Sequence, residues 1–236
     1  MIKYLKSEVY KILCGNFLFF TFVVVFGYCI LVSQLYLSDG LDFNYLFTYF
    51  NEEFIVLYLT LSLFFSSSLI ADEYLYGTIY DIKSQKLLWA KMVVLLVYLF
   101  LIFILALLFL YDISIFLSQN QFIQWSVILK VIYGFLKVLP MIIIVNLICL
   151  LTSVILKKSN MALIVSYSIY LILEYLKNII ISKDIKSLYF LPMFNWNLNA
   201  RTFIENYLSI GHSLAICFFT VLILLFLVIY IFKKRS

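Results

Sequence analysis

The stretch from Met92 to Tyr111, MVVLLVYLFLIFILALLFLY, contains no charged residue, no proline and no glycine. A helix rises 1.5 Å per residue, so about 20 apolar residues cross the roughly 30 Å hydrocarbon core of a bilayer. A helix also satisfies its own backbone hydrogen bonds in lipid. This stretch therefore predicts a transmembrane helix, and the chain lacks the alternating segments of a membrane barrel.

The composition of the whole chain indicates an integral membrane protein. Of its 236 residues, 66% are hydrophobic and only 12% are charged, and the mean hydropathy is +1.11. A soluble domain of this size needs a polar shell that so few charged residues cannot form. We predict an all-α polytopic membrane protein with a single transmembrane domain over 1–236. Its six predicted transmembrane helices are residues 17–37, 54–71, 92–111, 131–156, 161–181 and 213–232.

The distribution of basic residues predicts that both termini are cytoplasmic. An even number of spans leaves both ends of the chain on one side of the membrane, and cytoplasmic segments are enriched in Lys and Arg. The loop after the first span carries Asp39, Asp42, Glu52 and Glu53 without a basic residue, which fits the opposite side. The basic residues on the predicted cytoplasmic side are Lys3, Lys6, Lys11, Lys83, Lys86, Lys91, Lys157, Lys158, Lys233, Lys234 and Arg235.

Residues 1–16, MIKYLKSEVYKILCGN, form a basic segment ahead of the first span. Ile2, Leu5, Val9 and Ile12 recur at helical spacing, and the lysines lie largely off that stripe. One interpretation is an interfacial helix that lies in the membrane plane and leads into the first span. The other is a basic flank that only fixes the orientation of the chain.

The connection from Asp72 to Lys91, DEYLYGTIYDIKSQKLLWAK, is rich in charge and joins the second and third spans. It is long enough for a short helix with its turns but far too short for an independent domain. Gly77 permits a local turn that a residue with a β-carbon would resist. By periodicity alone, the connection is a solvated link between two spans.

This region resembles the stretch after the second span of type 2 ATP-binding-cassette permeases, which are six-span export subunits. The similar features are an acidic residue past the span (Glu73), the pair Gly77 and Thr78, the polar segment 84–86, and a lysine that opens the third span (Lys91). The architecture is similar over the whole length. The chain most resembles small bacterial permeases for peptide-antibiotic immunity, bacteriocin export or drug efflux, which implies the bacterial cell membrane.

The resemblance implies that the connection forms a short cytoplasmic coupling helix, which sits in a groove of a separate P-loop ATPase. Two ATPase copies and a second permease, identical or homologous, would complete the exporter within the lipid bilayer. ATP and Mg would bind to the ATPase, with no cofactor in this chain and no nucleic-acid partner. The residues assigned to coupling are Glu73, Tyr76, Gly77, Thr78, Asp81, Lys86 and Lys91.

The sequence contains no motif for catalysis or metal binding. The six glycines are scattered, and no G-x-x-x-x-G-K-[ST] phosphate-binding loop occurs. With one histidine and no cysteine pair at zinc-ligand spacing, a metal site is not expected either. We therefore expect that the chain is not an enzyme and that ATP is hydrolysed in a partner subunit.

Several polar features near the spans allow two interpretations each. Glu174 and Lys177 are three residues apart in the fifth span, so they can form an ion pair or line a polar path. Lys137 can extend to the interface or contribute to such a path, as can Lys130 on the same helix face. The aromatic residues and amides of 182–211 predict short external helices, as in the resembled family, or a loop on the lipid headgroups.

The leading hypothesis is therefore the permease subunit of an ATP-driven exporter. Its cargo would be a hydrophobic or amphipathic compound, such as a peptide antibiotic or bacteriocin, a drug or a lipid-like molecule. One alternative is a membrane scaffold or sensor that works without a motor. A second alternative is a secondary transporter, although the spans show neither a broken pair nor a chain of deep acidic residues.

Overall fold

The computed structural model describes residues 2–38, 43–75, 85–117, 125–197 and 208–235, which contain helices and no strand. Six of these helices are long and apolar enough to cross a membrane. The prediction of an all-α membrane protein with six spans is confirmed, while the side on which the termini lie stays a prediction. The helices are α1 Ile2–Cys14, α2 Asn16–Ser38, α3 Phe43–Leu75, α4 Gln85–Leu117, α5 Trp125–Leu156, α6 Ser159–Ser182, α7 Pro192–Asn195 and α8 Ile210–Arg235.

The helices on either side of the charged connection are longer than predicted. α3 continues to Leu75 and α4 begins at Gln85, so only residues 76–84 separate them. Neither helix contains a glycine or proline, and nothing in their sequences stops them at the polar residues. The loop predicted over 72–91 is therefore helical at both ends, and the predicted coupling helix lies in residues outside the described part.

The same extension changes the first predicted loop. α3 begins at Phe43, so Glu52 and Glu53 belong to a helix instead of a connection. Residues 2–14 are helical as well, and the position of α1 at the membrane interface stays a prediction.

The chain divides into two compact units. The first unit comprises Met1–Ser62 with Lys86–Gly134, and the second comprises Leu63–Gln85 with Phe135–Ser236. The boundaries between the units fall within α3, after the first residue of α4 and within α5.

In the first unit, α2 and α4 pack in the same direction. The hydroxyl groups of Thr21 and Tyr98 lie 2.7 Å apart, and Cys29 Sγ donates to the carbonyl of Ala106 at 3.8 Å. Both contacts join residues 77 positions apart. The constant offset shows that the two helices are parallel, as the first and third spans of a multi-span chain should be.

In the second unit, α3 and α5 are also parallel. Cys149 Sγ donates to the carbonyl of Leu63 at 3.6 Å, and Ser153 Oγ donates to that of Ser67 at 3.3 Å. Both contacts join residues 86 positions apart. Small side chains let the two backbones approach closely, which is typical of helix packing in membranes.

The chain turns between α5 and α6 at Lys157, whose φ of 58° lies in the left-handed region. α6 then packs along α5, and the hydroxyl groups of Thr152 and Ser166 lie 2.8 Å apart. Both hydroxyl groups are buried, as is Ala162 nearby. α5 and α6 therefore pack against each other through small residues, and the buried hydroxyl groups between them are hydrogen-bonded.

Residues after α6 fold into the second unit. A 3₁₀ turn at Lys186–Leu188 precedes the short helix α7. Phe194 and Trp196 are each 1% exposed. The region predicted as short helices or as a surface loop therefore contains short helices, and aromatic residues at its centre are buried within the unit.

Asn195 joins α7 to its surroundings. Its Nδ2 donates to the carbonyls of Tyr189 at 2.9 Å and Leu191 at 3.1 Å. Its Oδ1 accepts a hydrogen bond from the hydroxyl of Ser213 in α8. The fully buried Asn195 therefore fixes both the turn before α7 and the contact with α8.

The segment after α7 also contacts the backbone of α5. α5 contains Pro140, which has no backbone N–H and is unfavourable inside a helix. The N–H of the next residue, Met141, donates to the carbonyl of Trp196 at 3.1 Å. A residue distant in sequence thus supplies a hydrogen-bond acceptor beside the proline.

We expect Gly15→Ala to destabilise the corner between α1 and α2. A Cβ at Gly15 would lie 2.8 Å from the carbonyl oxygen of Lys11, so the backbone must shift. The cost should be about 1–3 kcal/mol in the free energy of unfolding, measured by denaturant titration in detergent. Gly27→Ala in α2 is the control, because a Cβ there meets nothing within 4 Å. An equal gain in stability in both variants would contradict the prediction.

Candidate functional site

A buried ion pair joins α1 to the beginning of α4 in the first unit. Lys91 Nζ lies 2.9 Å from Glu8 Oε2, and both side chains are only 4% exposed. The other carboxylate oxygen, Glu8 Oε1, lies 3.0 Å from Lys11 Nζ, which is 53% exposed. We call Glu8, Lys11 and Lys91 the α1–α4 joint.

The burial of this joint determines its strength. A charge removed from water carries a penalty of several kcal/mol, which only a well-placed partner offsets. The carboxylate of Glu8 has a lysine at each oxygen, so neither oxygen is left without a cation. The joint therefore holds α1 and α4 at a fixed position relative to each other.

Sequence reasoning identified Lys91 but missed Glu8. Glu8 is the single acidic residue in residues 1–38. It also stands three residues after Leu5 and four before Ile12, at the edge of the apolar stripe of α1. A single acidic residue beside the apolar stripe of a basic helix could have indicated that Glu8 is buried and pairs with a lysine.

The end of α3 is anchored differently, in the second unit. Lys157 Nζ lies 4.9 Å from the centre of the Tyr74 ring, within the distance of a cation–π contact. Glu73, the preceding residue, is 6% exposed. The last turn of α3 thus contacts the turn between α5 and α6.

The other residues assigned to coupling have different positions. Lys86 is exposed in the first turn of α4. Lys91 and Glu73 are buried, so neither side chain offers an exposed contact surface. The remaining four, Tyr76, Gly77, Thr78 and Asp81, lie outside the residues that the structure describes.

The charges predicted in the fifth span form a polar cluster in the second unit. Lys177 Nζ lies 3.1 Å from Glu174 Oε2, the direct ion pair that their spacing allows. The indole N–H of Trp196 donates to Glu174 Oε1 at 3.1 Å. The cluster therefore ties α6 to the segment after α7.

Lys137, the other charge assigned to a possible path, is half-buried in α5.

An apolar cavity of about 340 Å³ adjoins this polar cluster. Trp196 belongs to both, because it lines the cavity and bonds Glu174. α6 contributes Leu173, Leu176 and Ile180 to the lining, on one face of the helix. The second unit thus places a hydrophobic cavity beside a charged pair.

The described residues contain no group of three or more His, Cys, Asp or Glu side chains arranged to hold a metal ion. Comparison with protein-family models gives no match, and comparison with curated proteins gives none either.

Proposed function

We propose that this chain is the permease subunit of an ATP-driven exporter in the bacterial cell membrane. In this proposal both termini are cytoplasmic, and residues 76–84 dock into a P-loop ATPase. Two ATPase copies, with ATP and Mg bound to them, drive a pair of permeases. The cargo is a hydrophobic or amphipathic compound, such as a peptide antibiotic, a drug or a lipid-like molecule.

The observation that carries the proposal is the anchoring on both sides of residues 76–84. On the N-terminal side, Tyr74 contacts Lys157 in the turn between α5 and α6. On the C-terminal side, Lys91 is bonded to Glu8 of α1 through the buried pair. A segment that transmits force needs a firm attachment to the helices that must move, and each flanking helix has one.

The two anchors suggest what a motor would move. A push on residues 76–84 toward α4 would displace α1 with it, because separating Glu8 from Lys91 would leave two buried charges without partners. A push toward α3 would reach the α5–α6 turn through the Tyr74 ring. A segment that served only as a solvated link would need neither contact.

Affinity purification from native membranes in mild detergent tests the proposal. We expect the tagged protein to recover a P-loop ATPase, identified by mass spectrometry and by ATP hydrolysis. Reversing the charge of exposed Lys86 beside the segment should lower the recovered ATPase about tenfold, since interfacial charge pairs often contribute more than 1.4 kcal/mol. Failure to recover any ATPase would overturn the proposal and favour a scaffold or a secondary transporter.

The control is Lys183→Glu, which makes the same charge change at an exposed lysine after α6. It should recover as much ATPase as the parent protein. An equal loss in both variants would show a general charge effect, and residues 76–84 would then have no assigned role in docking.

A further inference from the structure

The geometry points to a binding site for an anionic phospholipid in the second unit, with an acyl chain in the apolar cavity and the headgroup at Lys177. This inference does not depend on export. It follows from the chemistry of the cavity, from the hydrogen-bonding capacity of Lys177 and from the charges at the end of α6.

The cavity accepts hydrocarbon and excludes water. Its volume of about 340 Å³ is at the lower end of the range of ligand pockets. Thr220 is the one hydroxyl residue in the lining, and its Oγ1 donates to the carbonyl of Ile216 within its own helix at 2.8 Å. The indole N–H of Trp196 is likewise bonded, to Glu174. A water molecule there would lack the two to four polar partners that it needs.

Lys177 supplies the polar end of the site. An ammonium group has three N–H donors, and among the described residues Lys177 uses one of them, on Glu174. Its side chain is only 10% exposed, so bulk water gives little compensation for the other two. Glu174 already accepts from both Lys177 and Trp196. The group that completes this cluster is therefore a hydrogen-bond acceptor.

The surrounding charge favours an anionic acceptor. Residues 174–186 contain three lysines, Lys177, Lys183 and Lys186, against Glu174 and Asp184. Lys177 is five residues before the end of α6 at Ser182, which is roughly 7–8 Å along the helix. At that depth, a phosphate bound to Lys177 would lie at the boundary of the hydrocarbon core. Its acyl chain would then run along Leu173 and Leu176 into the cavity.

Quenching of tryptophan fluorescence by brominated lipids tests the site, because a bromine quenches an indole only near contact. Trp89→Phe with Trp125→Phe leaves Trp196 as the reporter inside the cavity. In mixed micelles of the full chain, we expect half-maximal quenching at about tenfold less dibromo-phosphatidylglycerol than dibromo-phosphatidylcholine. The tenfold difference corresponds to one charge-assisted hydrogen bond between Lys177 and the anionic headgroup. Equal quenching by both lipids, or no quenching, would overturn the inference.

Four variants in that background separate the two ends of the site. Lys177→Gln should remove the preference for phosphatidylglycerol, whereas Lys177→Arg should keep it. Leu224→Phe fills the cavity and should reduce quenching by both lipids. Ile223→Phe adds the same ring at a neighbouring position that is 60% exposed and should leave quenching unchanged. Unchanged quenching in Leu224→Phe would place the lipid elsewhere and contradict the assignment.

A second tryptophan distinguishes binding at this site from general contact of lipid with the surface of the protein. Trp89→Phe with Trp196→Phe leaves Trp125, which is 78% exposed. Trp125 should be quenched equally by the two lipids. The same preference for phosphatidylglycerol at both tryptophans would indicate general attraction of anionic lipid to this basic protein, and the specific site would be rejected.

Discussion

Lys91→Met should lower the free energy of unfolding by about 3–5 kcal/mol, because it leaves the buried carboxylate of Glu8 without its buried partner. Methionine keeps most of the side-chain volume, so the loss reports on charge and not on a cavity. The measurement is reversible denaturant unfolding of the purified protein in detergent. Lys11→Met is a closely matched control, since Lys11 pairs with the same carboxylate at 3.0 Å.

Lys11 is 53% exposed, so its removal should cost about 1 kcal/mol or less. The double variant Glu8→Gln with Lys91→Met removes both buried charges and should recover much of the stability lost in Lys91→Met. Equal effects of Lys11→Met and Lys91→Met would show that burial does not strengthen the joint. The α1–α4 joint would then not be strong enough to move α1 together with α4.

Asn195→Leu should destabilise the second unit by about 2–5 kcal/mol. The change keeps a side chain of four heavy atoms branched at Cγ but removes the donors to the Tyr189 and Leu191 carbonyls and the acceptor for the Ser213 hydroxyl. Each buried polar group that loses its partner costs about 1–3 kcal/mol. Besides unfolding, limited proteolysis should show faster cleavage within 183–197, because Asn195 holds this segment against α8.

Asn178→Leu provides the comparison for this prediction. Asn178 is exposed on α6, so the same substitution there should change stability by no more than about 0.5 kcal/mol. Ser213→Ala should fall between the two, since it removes one of the hydrogen bonds of Asn195. A neutral Asn195→Leu would mean that the segment is held by its buried aromatic residues alone.

Local features of the fold could be predicted from the sequence. The six spans follow from apolar stretches of sufficient length, and α4 contains the whole stretch Met92–Tyr111. The ion pair between Glu174 and Lys177 was one of two interpretations that the sequence allowed, because its partners are three residues apart on one helix. In each case the deciding residues are neighbours in the sequence.

Contacts between distant residues could not be predicted in this way. Glu8 and Lys91 are separated by 83 positions, and periodicity does not say which helices face each other. Asn195 lies in a polar, aromatic stretch without any local mark of a buried residue with several partners. The helical ends of the charged connection were not predicted either. α3 continues past the apolar stretch to Leu75 and α4 begins at Gln85, because no glycine or proline interrupts either helix.

The hydrogen bond from Met141 to Trp196 has a consequence for biosynthesis. The chain is synthesised from its N-terminus, so α5 exists before Trp196 is made and at first carries its proline without the carbonyl that later accepts from Met141. Synthesis of α5 and formation of its hydrogen bond to Trp196 are therefore separate events. The middle of the protein reaches its final form only when a late part of the chain has been made.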